Sequence, residues 1–120
     1  MEINFDNNIP IYVQLVDYLK LYIISGKFKS GKKLPSVRDL AKEIKVNPNT
    51  MQKALSELEE LDLIYTERTN GKYVTNNEEI IKNMKDKYAK QKTKEFYESM
   101  QKAGLSKKEI INYLKMEGED

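Results

Sequence analysis

The sequence predicts a mainly α-helical fold: three short helices closed by a β-hairpin, then a tail of two more helices. Three observations carry that expectation. Apolar residues recur at helical spacing in three successive segments, each with its own start and stop signals. The period then changes, and two β-prone runs, Ile64 to Arg68 and Lys72 to Thr75, flank Thr69-Asn70-Gly71. Beyond Asn77 a long helical pattern resumes, breaks at Gly104 and restarts at Ser106.

The first helix is expected to begin near Pro10, because a proline's missing N–H is no loss in a first helical turn. Ile11, Leu15, Tyr18, Leu19 and Tyr22 form its apolar stripe, and Ser25-Gly26 stops it. A basic loop, Lys27 to Leu34, follows, with Phe28 and Leu34 as core anchors. Ser36-Val37-Arg38-Asp39 reads as a capping box, hydroxyl and carboxylate each satisfying a free backbone N–H. Val37, Leu40, Ala41 and Ile44 then share one buried face. After a tight turn at Lys45-Val46, Asn47-Pro48 gives the third helix an N-cap and a proline at its first position. Its stripe is Met51, Ala54, Leu55, Leu58 and Leu61.

Two short capped helices across a tight turn make a helix-turn-helix, here at about residues 36–56. Asn-Gly between β-prone runs is a strong hairpin signal and places a wing at about residues 64–75. A lone hairpin is marginal in water, so this one must lean on the helices. The expected fold class is therefore a winged helix-turn-helix over residues 8–77, followed by a helical dimerisation region over 78–117.

Composition removes other classes. Hydrophobic residues make up 39% of the 120, enough for a core, so only Glu117 to Asp120 reads as a frayed acidic tail. The chain contains no Cys and no His, which removes disulfides, thiolate nucleophiles and the commonest general base and metal ligand. An enzyme is not expected, and no cofactor or metal is implied. No apolar run reaches the length of a membrane span and no signal peptide opens the chain, so a cytoplasmic protein is expected.

The net charge of +2 conceals a strong asymmetry. From Lys20 to Lys53, nine basic residues stand against only Asp39 and Glu43. From Ala54 to Glu79, Arg68 and Lys72 stand against seven carboxylates. A basic block beside a helix-turn-helix is the electrostatic footprint of a polyanion partner. Outside its apolar stripe, the third helix begins with Asn49, Thr50, Gln52, Lys53 and Ser56, groups that hydrogen-bond base edges and phosphates. Farther along, Glu57, Glu59 and Glu60 would be repelled by DNA, so only the first two turns should enter a groove. The fold alone also permits a protein- or RNA-interaction module, which would be expected to show exposed apolar anchors instead.

Pro10-Ile11-Tyr12-Val13-Gln14-Leu15, Leu34-Pro35-Ser36-Val37-Arg38-Asp39-Leu40-Ala41 and Val46-Asn47-Pro48-Asn49-Thr50-Met51-Gln52-Lys53-Ala54-Leu55 resemble the DNA-binding domain of the GntR family. Leu58-Glu59, Leu63-Ile64 and Gly71-Lys72-Tyr73-Val74 continue the likeness, and the two-helix tail resembles the YtrA branch of that family. The resemblance implies a dimeric, repressor-like regulator binding double-stranded DNA at an inverted repeat. It leaves a small-molecule effector open without pointing to one. By position it implies that Arg38, beside Ser36, holds a phosphate, and that Asn47, Asn49 and Thr50 lie in or at the mouth of the major groove. Gln52 and Lys53 would flank them, while Asn70, Gly71 and Lys72 approach the minor groove. Two positions depart from the family pattern: Pro48 replaces a frequent basic residue, and Asp62 replaces a usual glycine.

The tail has its own logic. A helix from Asn77 to about Ala103 would be about 40 Å long, more than a small winged helix can cover. Ile81, Met84, Tyr88, Phe96 and Met100, with Ile110 and Leu114 of the last helix, are therefore expected to meet a second copy.

Overall fold

The computed structural model describes residues 2–118 as α1 (Ile11–Ile24), α2 (Val37–Ile44), α3 (Pro48–Glu60), β1 (Ile64–Glu67), β2 (Gly71–Val74), α4 (Glu78–Lys102) and α5 (Lys107–Met116). Glu119 and Asp120 of the expected acidic tail lie outside the described residues. Five helices and one antiparallel hairpin reproduce the winged helix-turn-helix and its two-helix tail. The chain divides into two compact units, one ending at Met84 and one beginning at Lys85.

In the first unit α1 packs on α3, and α3 in turn on α2 and β1. The buried face of α1 is Leu15, Val16, Leu19, Ile23 and Ile24. The expected stripe is thus misplaced in part: Ile11 is 48% exposed, and Tyr18 and Tyr22 are only half-buried. Val16 and Ile23 take the core places instead. The segment before α1 folds back, its Ile3 and Phe5 packing against the core. Gln14 pins it by accepting from the Asp6 N–H and donating to the Asp6 and Ile9 carbonyls, each at 2.8 Å. The Tyr18 and Tyr22 rings meet at a tilt, 4.8 Å between centroids, and partial burial with their mutual hydrogen bond pushes the Tyr18 phenol up to about 12.

The caps follow from residue length. Ser36 Oγ accepts from the Asp39 N–H at 3.1 Å, but the expected return bond, from the Ser36 N–H to the Asp39 carboxylate, is not made. Aspartate is one methylene shorter than the glutamate that normally closes the box. Ser106 and Glu109 do close it: Ser106 N–H donates to Glu109 Oε1 at 3.0 Å and Glu109 N–H to Ser106 Oγ at 3.2 Å. Hydrogen bonding from the Ser106 backbone N–H, then from its side chain, holds the Glu109 carboxyl below its usual range. Asn47 caps α3 by accepting from the Asn49 N–H at 2.7 Å, with Pro48 at the first position as expected.

Leu61, assigned to the α3 stripe, sits at the helix end and is 37% exposed; Leu63 and Ile64 enter the core in its place. The hairpin pairs Ile64 with Val74, Tyr65 with Tyr73, Thr66 with Lys72 and Glu67 with Gly71. Asn70-Gly71 is therefore not the centre of a two-residue turn. Arg68 to Asn70 form the bend, closed by Asn70 N–H to the Glu67 carbonyl at 3.2 Å, and Gly71 opens β2 at φ +108°. The loop before α2 runs along the outer edge of β2. Leu34 N–H donates to the Lys72 carbonyl at 2.8 Å, and Val74 N–H to the Lys32 carbonyl at 2.9 Å.

Helix α4 is continuous, but Ile80, Ile81 and Met84 pack against the first unit's core. The boundary consequently falls within α4 instead of at residue 77, and Ile81 and Met84 are engaged inside their own protomer. In the second unit Ile110 is buried, Met100 is half-buried, and Tyr88, Phe96, Ile111, Tyr113, Leu114 and Met116 are exposed. Among the described residues no helix is long and apolar enough to cross a membrane.

Candidate nucleic-acid interface

The first turns of α3 are presented by the α2–α3 turn, which closes through a left-handed Lys45 (φ +66°) and a bond from Val46 N–H to the Ala41 carbonyl at 2.9 Å. With Met51, Ala54, Leu55 and Leu58 locked in the core, the opposite face of α3 must look outward. Asn49, Gln52, Lys53 and Ser56 lie on it, exposed, and Thr50 is half-buried. A polar, uncharged helix start of this kind suits base-edge hydrogen bonding.

The ten residues expected at the interface do not stand in equal positions. Arg38 is exposed on α2 and makes no ion pair among the described residues. The Asn49 side chain is also exposed. Ser36 and Asn47 use their side-chain oxygens as caps, leaving the hydroxyl proton and the amide NH2 for a ligand. Gln52 Nε2 lies 3.3 Å from Ser56 Oγ, a long bond that is easily exchanged for a base edge. Asn70 Nδ2 donates to Glu67 Oε2 at 3.2 Å across the bend.

The two lysines are held. The Lys53 ammonium sits over the Tyr12 ring, 4.3 Å from its centroid, a cation–π contact tying α3 to α1. Partial burial, then the hydrogen bond with Glu57, raises the Tyr12 phenol's pKa. Lys72 is turned toward α3, its Nζ 2.9 Å from Thr66 Oγ1 and 3.7 Å from Glu59 Oε1. Its side chain is only 17% exposed, so the expected minor-groove contact is not presented in this conformation. Conversely, the sequence reading passed over Lys33 and Arg68, which line the cleft between the start of α2 and the wing together with Ser36 and Asn70. The basic loop and the position of Arg68 in the bend were the available signals.

These features define a winged helix-turn-helix of the kind that presents one helix to a groove and a hairpin beside it. Residues 11–74 match the model of bacterial regulatory proteins of the gntR family, and the chain belongs to that family. It is a DNA-binding transcriptional regulator. The chain is 36% identical to the HTH-type transcriptional regulator YhcF of Bacillus subtilis (strain 168), over 96% of this chain and 95% of that protein. It is 43% identical to the HTH-type transcriptional repressor YtrA of the same organism, over 64% of this chain and 59% of that one. A solved GntR family transcriptional regulator from Listeria monocytogenes superposes with a TM-score of 0.88 at 44% identity, covering 93% and 98% of the two chains.

Proposed function

We propose that this chain is a repressor that binds an inverted repeat in double-stranded DNA as a homodimer, each protomer placing the first two turns of α3 in a major groove. The observation that carries the reading is the exposed Asn49 and Gln52 on α3 beside an exposed Arg38 on α2 that makes no ion pair among the described residues. Base-reading amides and a phosphate-binding guanidinium are then offered together from two elements of fixed geometry. The similar YtrA is a repressor, which supports the direction of regulation. The exposed Tyr88, Phe96 and Leu114 support a second copy as the tail's partner. Dimerisation would set the half-site spacing.

The test is a binding isotherm on the gene's own upstream region and on random duplex, across a range of salt. Arg38→Ala should weaken both about equally and lower the salt slope by about one. Asn49→Ala should cost about 1–3 kcal/mol on the operator and little on random DNA. Equal losses on both DNAs for Asn49→Ala contradict base reading.

A further inference from the structure

We propose that Glu59 is a positioning residue for the wing: with Thr66 it holds the Lys72 ammonium as a strut between α3 and the hairpin. The inference rests on the DNA-binding reading above and adds a role to the acidic end of α3, which by charge alone should only be repelled by DNA.

Strand alternation explains why Lys72 points inward. Residues two apart on a strand share a face. Lys72 is two residues before Val74 and pairs with Thr66, itself two after Ile64; Ile64 and Val74 are buried in the core. The Thr66–Lys72 pair is the next rung out on that same face. Tyr65 and Tyr73 stack on the other face, 5.6 Å between centroids.

Glu59 meets this rung from the last turn of α3. The Thr66 hydroxyl donates to Glu59 Oε1, and Lys72 Nζ donates to Thr66 Oγ1 at 2.9 Å while lying 3.7 Å from the same carboxylate oxygen. Three groups from α3, β1 and β2 thus converge on one point. The partial burial of Lys72 weakens solvent screening of the pair. The outer edge of β2 is held separately, by the backbone bonds to Lys32 and Leu34. The hairpin is consequently fixed on both sides, and its angle to the recognition helix is set before DNA arrives. Pre-organisation of that kind contributes affinity by removing an ordering cost at binding.

The strut and a direct phosphate contact predict opposite salt behaviour. In the full-length protein, Lys72→Met removes the charge and keeps the apolar stem. As a strut, it should weaken operator binding roughly three- to ten-fold with the salt slope unchanged. The amides of Tyr65 and Tyr73 should exchange faster in the DNA-free protein. Glu59→Gln should speed the same amides and raise the slope by up to about one, because the released lysine becomes free to meet phosphate. Lys72→Arg should restore the protection, and the Glu59→Gln/Lys72→Met pair should lose less than the sum of its parts. A slope that falls by about one in Lys72→Met, or hairpin exchange unchanged in both single variants, overturns the proposal. If the wild-type protein binds no DNA, the functional reading fails instead, and the exchange measurements still decide the strut.

Discussion

The two units of this chain solve opposite problems with similar helices. The first buries residues from α1, α2, α3 and both strands in one cluster, including ten large side chains that are almost fully enclosed. The second, among its described residues, encloses Ile110 while leaving Tyr88, Phe96, Ile111, Tyr113, Leu114 and Met116 open. A helical pair with more apolar side chains outside than inside has no core of its own to stabilise it. The difference indicates where information sits. The first unit is specified by its own sequence, whereas the second leaves apolar side chains open that the proposed second copy would cover.

The largest expected effect tests the first half of that contrast. Leu55 is 1% exposed at the centre of the cluster, and Leu55→Ala should destabilise the protein by about 2–5 kcal/mol in a denaturant titration. A loss below about 1 kcal/mol would mean that the cluster is not closely packed.

The second half is tested at Phe96, which is 39% exposed on α4. Phe96→Ser should leave unfolding of the first unit within about 0.5 kcal/mol. It should raise the dimer dissociation constant about ten-fold or more, read by sedimentation, because buried aromatic anchors dominate interfaces. A chain cut after Met84 should then be a folded monomer. The cut belongs within α4 and not at the end of the wing, since Ile80, Ile81 and Met84 pack against the first core. A dimeric truncated chain would show that the tail is not the interface.

Most of the fold was legible because its signals are local. Asn47-Pro48 announces the start of α3 and its cap forms as read, and Ser106, where the helical pattern was expected to restart, caps α5. The errors arise wherever a distant element decides. Ile11 fits a helical stripe, yet the core takes Val16 and Ile23 from α1 and leaves Ile11 exposed. At the interface, Arg38 and Asn49 are exposed as their surroundings in sequence suggest. Lys53 and Lys72 look equally free in sequence, but Tyr12 holds the first from another helix, and Glu59 holds the second from thirteen residues upstream. Strand alternation placed Lys72 on Val74's face, so that error had a readable warning. For Lys53 no local pattern gives one.

The smallest effect compares how the two units end a helix. Each uses one residue in the left-handed region, Asp62 at φ +61° after α3 and Gly104 at φ +86° after α4. The closing bonds are alike: Leu63 N–H to the Leu58 carbonyl at 3.0 Å, and Leu105 N–H to the Met100 carbonyl at 3.1 Å. Glycine adopts this conformation without a Cβ penalty, whereas aspartate is only tolerated there. Asp62 also adds negative charge at the negative end of the α3 dipole, where Glu60 already stands. Against this, a glycine enlarges the unfolded ensemble. The balance favours Asp62→Gly by about 0.5–1 kcal/mol, with operator affinity unchanged because the exit of α3 lies beyond the turns that read DNA. Gly104→Ala should go the other way, destabilising the second unit, since its φ suits no L-residue well. Denaturant titrations of both variants and one binding isotherm measure the pair. A destabilised Asp62→Gly would show that the Asp62 carboxylate makes a contact worth more than the backbone strain. A stable Asp62→Gly that no longer binds operator would put the acidic end of α3 at the DNA, and the strut at Glu59 would have to be reassigned with it.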